Sequence, residues 1–373
     1  MNKTKTLVIV LALLAACAYK LPEAQILRIF ERHSFKTHDP EKLRSLMRGS
    51  GLSGLKLEDK YVEVVWANRR VRTSPEKPGS SAGMLVGSKG GAYYLLRVFK
   101  GSPAEAAGFK DGDKLLSVGS AAPGSEEFLA ALSGRRGFRA RVARRTITGI
   151  SEFENEVKAG EFSLPLIFGL YEPVTGSAFV RIGLFYPGSA SVAAAGLAGL
   201  QKNGAKSVVL DLRGNKGGSP DEAADLLKLF AAKPGPVLAI TSRHKGYTQV
   251  FEAAARGRFA GMRLAVLVDQ ATSMTGEVFA ASLREIAGAS VIGAKTAGKV
   301  SIQRTFSLGE ARGLRLTVAR LAPPSETDLE EAGLAPDVPV EAAGRAAWSV
   351  AASDALLKDQ VYLRALGVLS KTH

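Results

Sequence analysis

Ser207-Val-Val-Leu-Asp-Leu-Arg-Gly-Asn-Lys-Gly-Gly218 runs from a short, mostly apolar stretch into a glycine turn, and a helical period follows from Pro220 to Phe230. An apolar run of strand length closed by glycines predicts a buried strand leading into a helix. The same unit recurs on both sides. Ala178 to Tyr186 reads as a strand and Ser189 to Asn203 as a helix; Val237 to Ile240 and Leu264 to Val268 are further strand-length runs, and Gly276 to Ala287 has helical periodicity. Strands alternating with helices predict an α/β core around a largely parallel sheet.

Upstream of this core the pattern changes. Ile26, Leu27 and Phe30, then Leu43, Leu46 and Met47, fall at helical spacing, with Asp39-Pro40 as the cap and first-turn proline of the second helix. Ala92 to Phe99 reads as a strand. In Gly101-Ser-Pro-Ala-Glu-Ala-Ala-Gly108 a short helix opens at Pro103 and closes at Gly108, and Phe109-Lys-Asp-Gly-Asp113 turns tightly into the strand Lys114 to Val118. That string resembles the PDZ domains of bacterial proteases. The resemblance implies a peptide-binding loop at Ser81, Ala82, Gly83 and Met84, whose backbone N–H groups would hold a C-terminal carboxylate while the peptide adds a strand to the sheet edge. Ser81 stands where that loop usually has glycine. The basic run Arg135, Arg136, Arg139, Arg141, Arg144 and Arg145 reads as a solvated strand face and not as a nucleic-acid site.

With 373 residues, 46% of them hydrophobic and 23% charged, the chain has room for two or three domains and lies in the globular range, which excludes a disordered, collagenous or coiled-coil protein. Fifty Lys plus Arg against 35 Asp plus Glu leave a formal charge of +15, suited to an anionic surface or ligand. The single cysteine excludes internal disulfides and cysteine zinc sites, and His33, His38, His244 and His373 are too scattered for a metal cluster. No metal and no cofactor is expected.

Three segments of the core carry a specific likeness. Val209-Leu-Asp-Leu-Arg-Gly-Asn-Lys-Gly-Gly218 is close to D-L-R-x-N-P-G-G with Lys216 in place of the proline. Gly293-Ala-Lys-Thr-Ala-Gly-Lys-Val-Ser-Ile-Gln303 matches G-x-x-T-x-G-K-G-x-V-Q, and Thr272-Ser-Met-Thr-Gly-Glu277 lies where S-A-S-A-S-E is expected. These patterns resemble the S41 family of serine peptidases, the C-terminal processing or tail-specific proteases. The resemblance runs from about residue 35 to 365 and resumes in Arg315 to Pro324 and in Glu331-Ala-Gly-Leu-Ala-Pro-Asp337-Val338. It implies a ClpP/crotonase-like S41 protease fold: an α/β core with an inserted or preceding PDZ-like, β-rich domain and a small helical N-terminal region. It further implies Lys299 as general base, kept neutral by burial, Gln303 as its orienting partner, and backbone N–H groups of Gly217 or Gly218 facing the oxyanion. Lys295, ahead of the motif threonine, is the weaker base candidate.

The family's nucleophilic serine precedes its glutamate by three positions. Counting back from Glu277 gives position 274, which is Met274. A thioether cannot attack a carbonyl or give up a proton. Three readings follow: a pseudoprotease that binds peptides in the retained groove; an enzyme whose turn shifts so that Ser273, or less favourably Thr275, becomes the nucleophile; and a non-enzymatic scaffold of the envelope.

Lys3 and Lys5 precede the apolar run Leu7 to Ala16, which is too short to span a bilayer but suits a secretory signal. Leu14-Ala15-Ala16-Cys17 resembles the bacterial lipobox, which implies acylation at Cys17 and a lipid-anchored, or else secreted, protein on the periplasmic side of the cell envelope. The expected division is therefore 1–17 signal peptide with lipobox, 18–68 helical region, 69–148 PDZ-like domain and 149–373 protease core. The expected partners are protein or peptide C-terminal tails and, through the anchor, a membrane; no nucleic acid is expected.

Overall fold

The computed structural model describes residues 22–66, 82–89, 92–123, 125, 127–128, 137–158, 167–172, 175–309, 312–341 and 359–371. Cys17 and Ser81 lie outside the described residues. Helix α1 (Glu23–His33) precedes α2 (Pro40–Ser50), the one-turn α3 (Leu52–Leu55) and strand β1 (Glu63–Trp66). The start of α2 follows from its sequence: the Asp39 carboxylate accepts from the Glu41 N–H at 2.9 Å and Pro40 takes the first turn, where its missing N–H costs nothing. Of the positions at helical spacing, Ile26, Phe30, Leu43 and Met47 are buried, while Leu27 and Leu46 are half-buried.

Next comes an antiparallel sheet of β2 (Met84–Lys89), β3 (Ala92–Val98), β4 (Lys114–Val118), β5 (Phe138–Thr146) and β6 (Gly149–Val157), paired in that order, with α4 (Pro103–Ala106) between β3 and β4. Ser102 caps α4 by accepting the Glu105 N–H at 3.1 Å, and Gly108 leaves the helix at φ 84°. Its core gathers Met84, Val86, Leu95, Phe109, Leu115 and Phe128. Three of the four arginines of β5 face an acid: Arg144 pairs with buried Asp113 at 2.7 Å and covers the Phe153 ring, while Arg139 and Arg141 lie 3.8 and 3.7 Å from Glu154 and Glu152.

The rest of the chain forms β7 (Ile167–Glu172), β8 (Ser177–Ile182), α5 (Ser189–Lys202), β9 (Ser207–Asp211), α6 (Pro220–Lys228), β10 (Gly235–Thr241), β11 (Gln249–Ala253), β12 (Arg263–Val268), α7 (Thr275–Ala287), β13 (Ser290–Gly293), β14 (Ser301–Gly309), β15 (Arg312–Ala322), β16 (Val338–Pro339) and α8 (Gln360–Lys371). A six-stranded sheet runs β16-β13-β12-β9-β8-β7, parallel except for the edge strand β7. Strand β9 sits inside it, buried at all five positions, as its continuous apolar character requires. Helix α5 connects β8 to β9 and α7 connects β12 to β13, the crossovers that parallel neighbours need.

Two compact units result. One comprises Met1–Arg72, Ile240–Thr248 and Ser301–Arg320; in it β14, β15 and β1 pair antiparallel, and Leu308, Leu314 and Leu316 share a core with Ile26, Phe30 and Leu43. The other comprises Thr73–Ala239, Gln249–Val300 and Leu321–His373, and holds both the antiparallel sheet of β2 to β6 and the six-stranded sheet.

Candidate active site

Beyond β9 the chain must turn sharply, and buried polar groups fix the turn. The Asn215 side chain, wholly buried, donates to the Ile182 carbonyl at 2.8 Å and accepts the Gly217 N–H at 2.7 Å, while its own carbonyl accepts the Ser273 N–H at 2.9 Å. Gly217 and Gly218 follow at φ 99° and 114°, values open to glycine and strained for other residues. A Cβ on Gly217 would lie 2.5 Å from the Met274 Cβ, so the turn is pressed against that residue. Of the two expected oxyanion donors, Gly217 is spent on Asn215. Gly218 is exposed and its N–H has no acceptor among the described residues.

The second wall is the turn from β12 into α7. Asp269 Oδ1 accepts the N–H groups of Gly214, Ala271 and Thr272 and the Thr272 hydroxyl, at 2.9 to 3.1 Å, tying this turn to the glycine turn. Met274 then sits at the N-cap of α7 with φ 54° and ψ −130°. Backbone in this region strains any residue with a Cβ and is stable only where its surroundings over-determine it.

Glu277 does the over-determining. Completely buried, it accepts the Thr296 hydroxyl at 2.6 Å and the N–H groups of Lys299 at 2.8 Å, Gly298 at 2.9 Å and Met274 at 3.1 Å. Burial pushes its carboxyl above the ordinary range, against the pull of these donors. The Met274 N–H also donates to the Lys299 carbonyl at 2.8 Å.

The side chains at the expected positions are a different matter. Lys299 is exposed, contrary to the expectation of burial; its backbone N–H donates to Glu277, and its ammonium has no partner among the described residues. Lys295 is exposed as well. Gln303 belongs to the other compact unit and donates its amide to the Ser301 carbonyl at 2.9 Å. Thr275 is 1% exposed and its hydroxyl donates to the Gly218 carbonyl at 2.8 Å, so it is occupied. Ser273 is half-buried, with no partner for its hydroxyl among the described residues. In the β2 to β6 sheet the Ala82 and Gly83 carbonyls accept the N–H groups of Ala104 and Phe99, and Met84 points into the core.

One constellation went unread in the sequence. Ser34 Oγ lies 2.8 Å from His38 Nε2, and His38 Nδ1 lies 3.0 Å from Glu58 Oε2, the spacing of a serine–histidine–carboxylate relay. Ser34 is 2% exposed and its N–H is held by the Phe30 carbonyl, so no substrate reaches it and the relay acts as a lock in the helical region. Only a contact map could have found it, since the three residues span 24 positions with no motif.

A parallel α/β sheet, a glycine turn and a strained helix entry pressed against it make up the candidate site. Residues 176–340 match peptidase family S41. It is 27% identical over 322 residues to a carboxyl-terminal-processing protease of Picosynechococcus, covering 82% of this chain and 77% of that protein. It is 25% identical over 264 residues to carboxy-terminal processing protease CtpB of Bacillus subtilis, covering 69% of this chain and 55% of that one. Among solved structures, a photosystem II D1 C-terminal processing protease shares the fold, with a TM-score of 0.53 at 19% identity over 85% of this chain and 92% of that one.

Proposed function

We propose that this chain is a cell-envelope protein of the S41 type that holds the extended C-terminal tails of other proteins and cleaves them feebly or not at all. The observation that carries the reading is Met274 at the strained entry of α7: the position pressed against the glycine turn has no hydroxyl, and the neighbouring Thr275 hydroxyl is tied to Gly218. Relatives named for C-terminal processing supply the substrate class. The β2 to β6 sheet supports a PDZ-like role, since β2 is an edge strand to which a peptide could add, next to Gly83. The lipobox around Cys17 supports anchoring on the periplasmic side.

In the parent protein nothing at residue 274 can attack a carbonyl. With serine there, its oxygen would attack the scissile carbonyl carbon, its proton would pass to a Lys299 amine desolvated by bound substrate, and the oxyanion would face the Gly218 N–H. The test is hydrolysis of an unfolded, tail-bearing substrate. Met274→Ser is expected to raise turnover well above the parent, and Lys299→Ala added to it is expected to remove the gain. A second reading rests on the unpartnered Ser273 hydroxyl: robust cleavage by the parent that vanishes in Ser273→Ala would establish a shifted nucleophile and displace the first.

A further inference from the structure

Helices α1 and α2 leave between them a groove of about 660 Å³. Its floor is apolar, formed by half-buried Leu27 and by Met47. Its rim carries Arg28, Arg44 and Arg48, all exposed. Arg44 and Arg48 stand one turn apart on α2, a spacing at which like charges weaken a helix unless an anion lies between them. Arg44 leans on Glu41, and Arg28 Nε donates to the Ala24 carbonyl of its own helix at 3.3 Å. Arg48 has no hydrogen-bond or ion-pair partner among the described residues. Glu23 and Glu31 of α1 complete the rim, so the positive side of the groove is that of α2.

Where the groove lies along the chain selects its occupant. Glu23 and Ala24, at the very start of α1, line it, and only the five residues from Ala18 to Pro22 separate them from Cys17. Fully extended, five residues reach about 18 Å at most. A chain acylated at Cys17 therefore holds this groove on a tether short enough for it to rest on the headgroup layer, and within one Debye length of that surface each cation facing an anionic leaflet is attracted. We propose that the groove between α1 and α2 binds the phosphodiester headgroup of an anionic phospholipid, with Arg44 and Arg48 on the phosphate and the apolar floor against the glycerol and upper acyl carbons. This rests on the reading that Cys17 is the anchor.

The experiment uses the chain from Ala18 onward, which keeps every described residue and has no acylation site. It is floated with vesicles of phosphatidylglycerol and phosphatidylcholine, and with phosphatidylcholine alone. Binding is expected to the anionic vesicles only, and Arg44→Gln with Arg48→Gln is expected to lower it about tenfold or more. Arg139→Gln with Arg141→Gln removes the same net charge from the β5–β6 hairpin and is expected to leave binding intact. Circular dichroism confirms that both double variants are folded. Equal losses in the two double variants would show an effect of net charge and overturn the site, as would no binding at all. Displacement by inorganic phosphate at constant ionic strength would make a free anion the ligand and overturn it too. Because Cys17 is absent from the assay, such failures leave the anchoring itself standing, which membrane partitioning of the parent against Cys17→Ser decides separately.

Discussion

The Met274 N–H donates to the Lys299 carbonyl at 2.8 Å, so the residues proposed for the nucleophile and base positions are joined through their backbones. Neither side chain takes part. The turn can therefore keep its shape with methionine in it, and a hydroxyl restored at position 274 would enter a frame that is already built.

That frame holds Met274 at φ 54°, which predicts an unusual substitution order. Met274→Gly removes the strain of a Cβ in this region, worth about 1–3 kcal/mol, and gives up only a half-buried side chain. It is expected to be neutral or stabilising in urea denaturation, whereas the β-branched Met274→Val is expected to lose about 1–2 kcal/mol. A destabilised glycine variant would mean that packing of the thioether, and not Glu277, holds the turn.

The glycine turn makes a second, graded prediction. Gly214 at φ 71° has open space around its missing Cβ, so Gly214→Ala should lose only the conformational strain, about 1–2 kcal/mol. Gly217→Ala adds an overlap at 2.5 Å with the Met274 Cβ, and Gly218→Ala a contact at 2.0 Å with the Phe185 carbonyl oxygen, which is backbone and cannot swing away. Urea midpoints should fall in the order Gly214, Gly217, Gly218, with the last two removing any activity gained by Met274→Ser. Equal losses at all three positions would mean that the close approach does not matter.

Local chemistry was legible in the sequence. The cap and proline of α2, the capped turn of α4, and the buried strand β9 with its glycine exit all follow from residues within a few positions of one another. What was not legible depends on contacts far apart in the chain. Glu277 reads as one motif glutamate, yet its role comes from Thr296, Gly298 and Lys299, some 20 residues on. Burial of Lys299 was inferred from its expected chemistry, and no local signal reports which side of the 296–299 loop a lysine takes. The grouping of the N-terminal helices with β14 and β15 is likewise a matter of tertiary pairing, which helical or strand periods do not encode.

Glu277→Gln tests the clamp directly. Both carboxylate oxygens accept, one from the Met274 and Lys299 N–H groups and the other from Thr296 and Gly298. A glutamine must turn its NH2 toward one of these donor pairs, leaving buried donors facing a donor, at a cost of about 2–3 kcal/mol. Urea denaturation should show that loss, and the Met274→Ser gain in turnover should shrink because the turn loosens. Unchanged stability would show that the four hydrogen bonds do not fix the site.

Asp211, at the end of β9, gives a prediction with a pH signature. It is completely buried; burial alone would raise its pKa, but the guanidiniums of Arg213 at 2.8 Å and Arg181 at 3.3 Å outweigh this and hold it below its ordinary value of 3.8. Because the folded value lies below the unfolded one, the unfolded chain binds the proton more tightly in between. The stabilisation is therefore complete above the ordinary value and is lost as pH falls through the folded one. Asp211→Asn leaves Arg213 to Asp359 and Arg181 to the Arg213 carbonyl, and removing one partner from a buried charge pair costs about 3–5 kcal/mol. Urea midpoints of the parent and Asp211→Asn should differ by that much at neutral pH, and the gap should narrow at the lowest pH where the parent still folds. Every other carboxylate is common to the two proteins, so the change in the gap isolates Asp211. A gap that stays constant with pH would show that the loss comes from packing and not from the carboxylate charge.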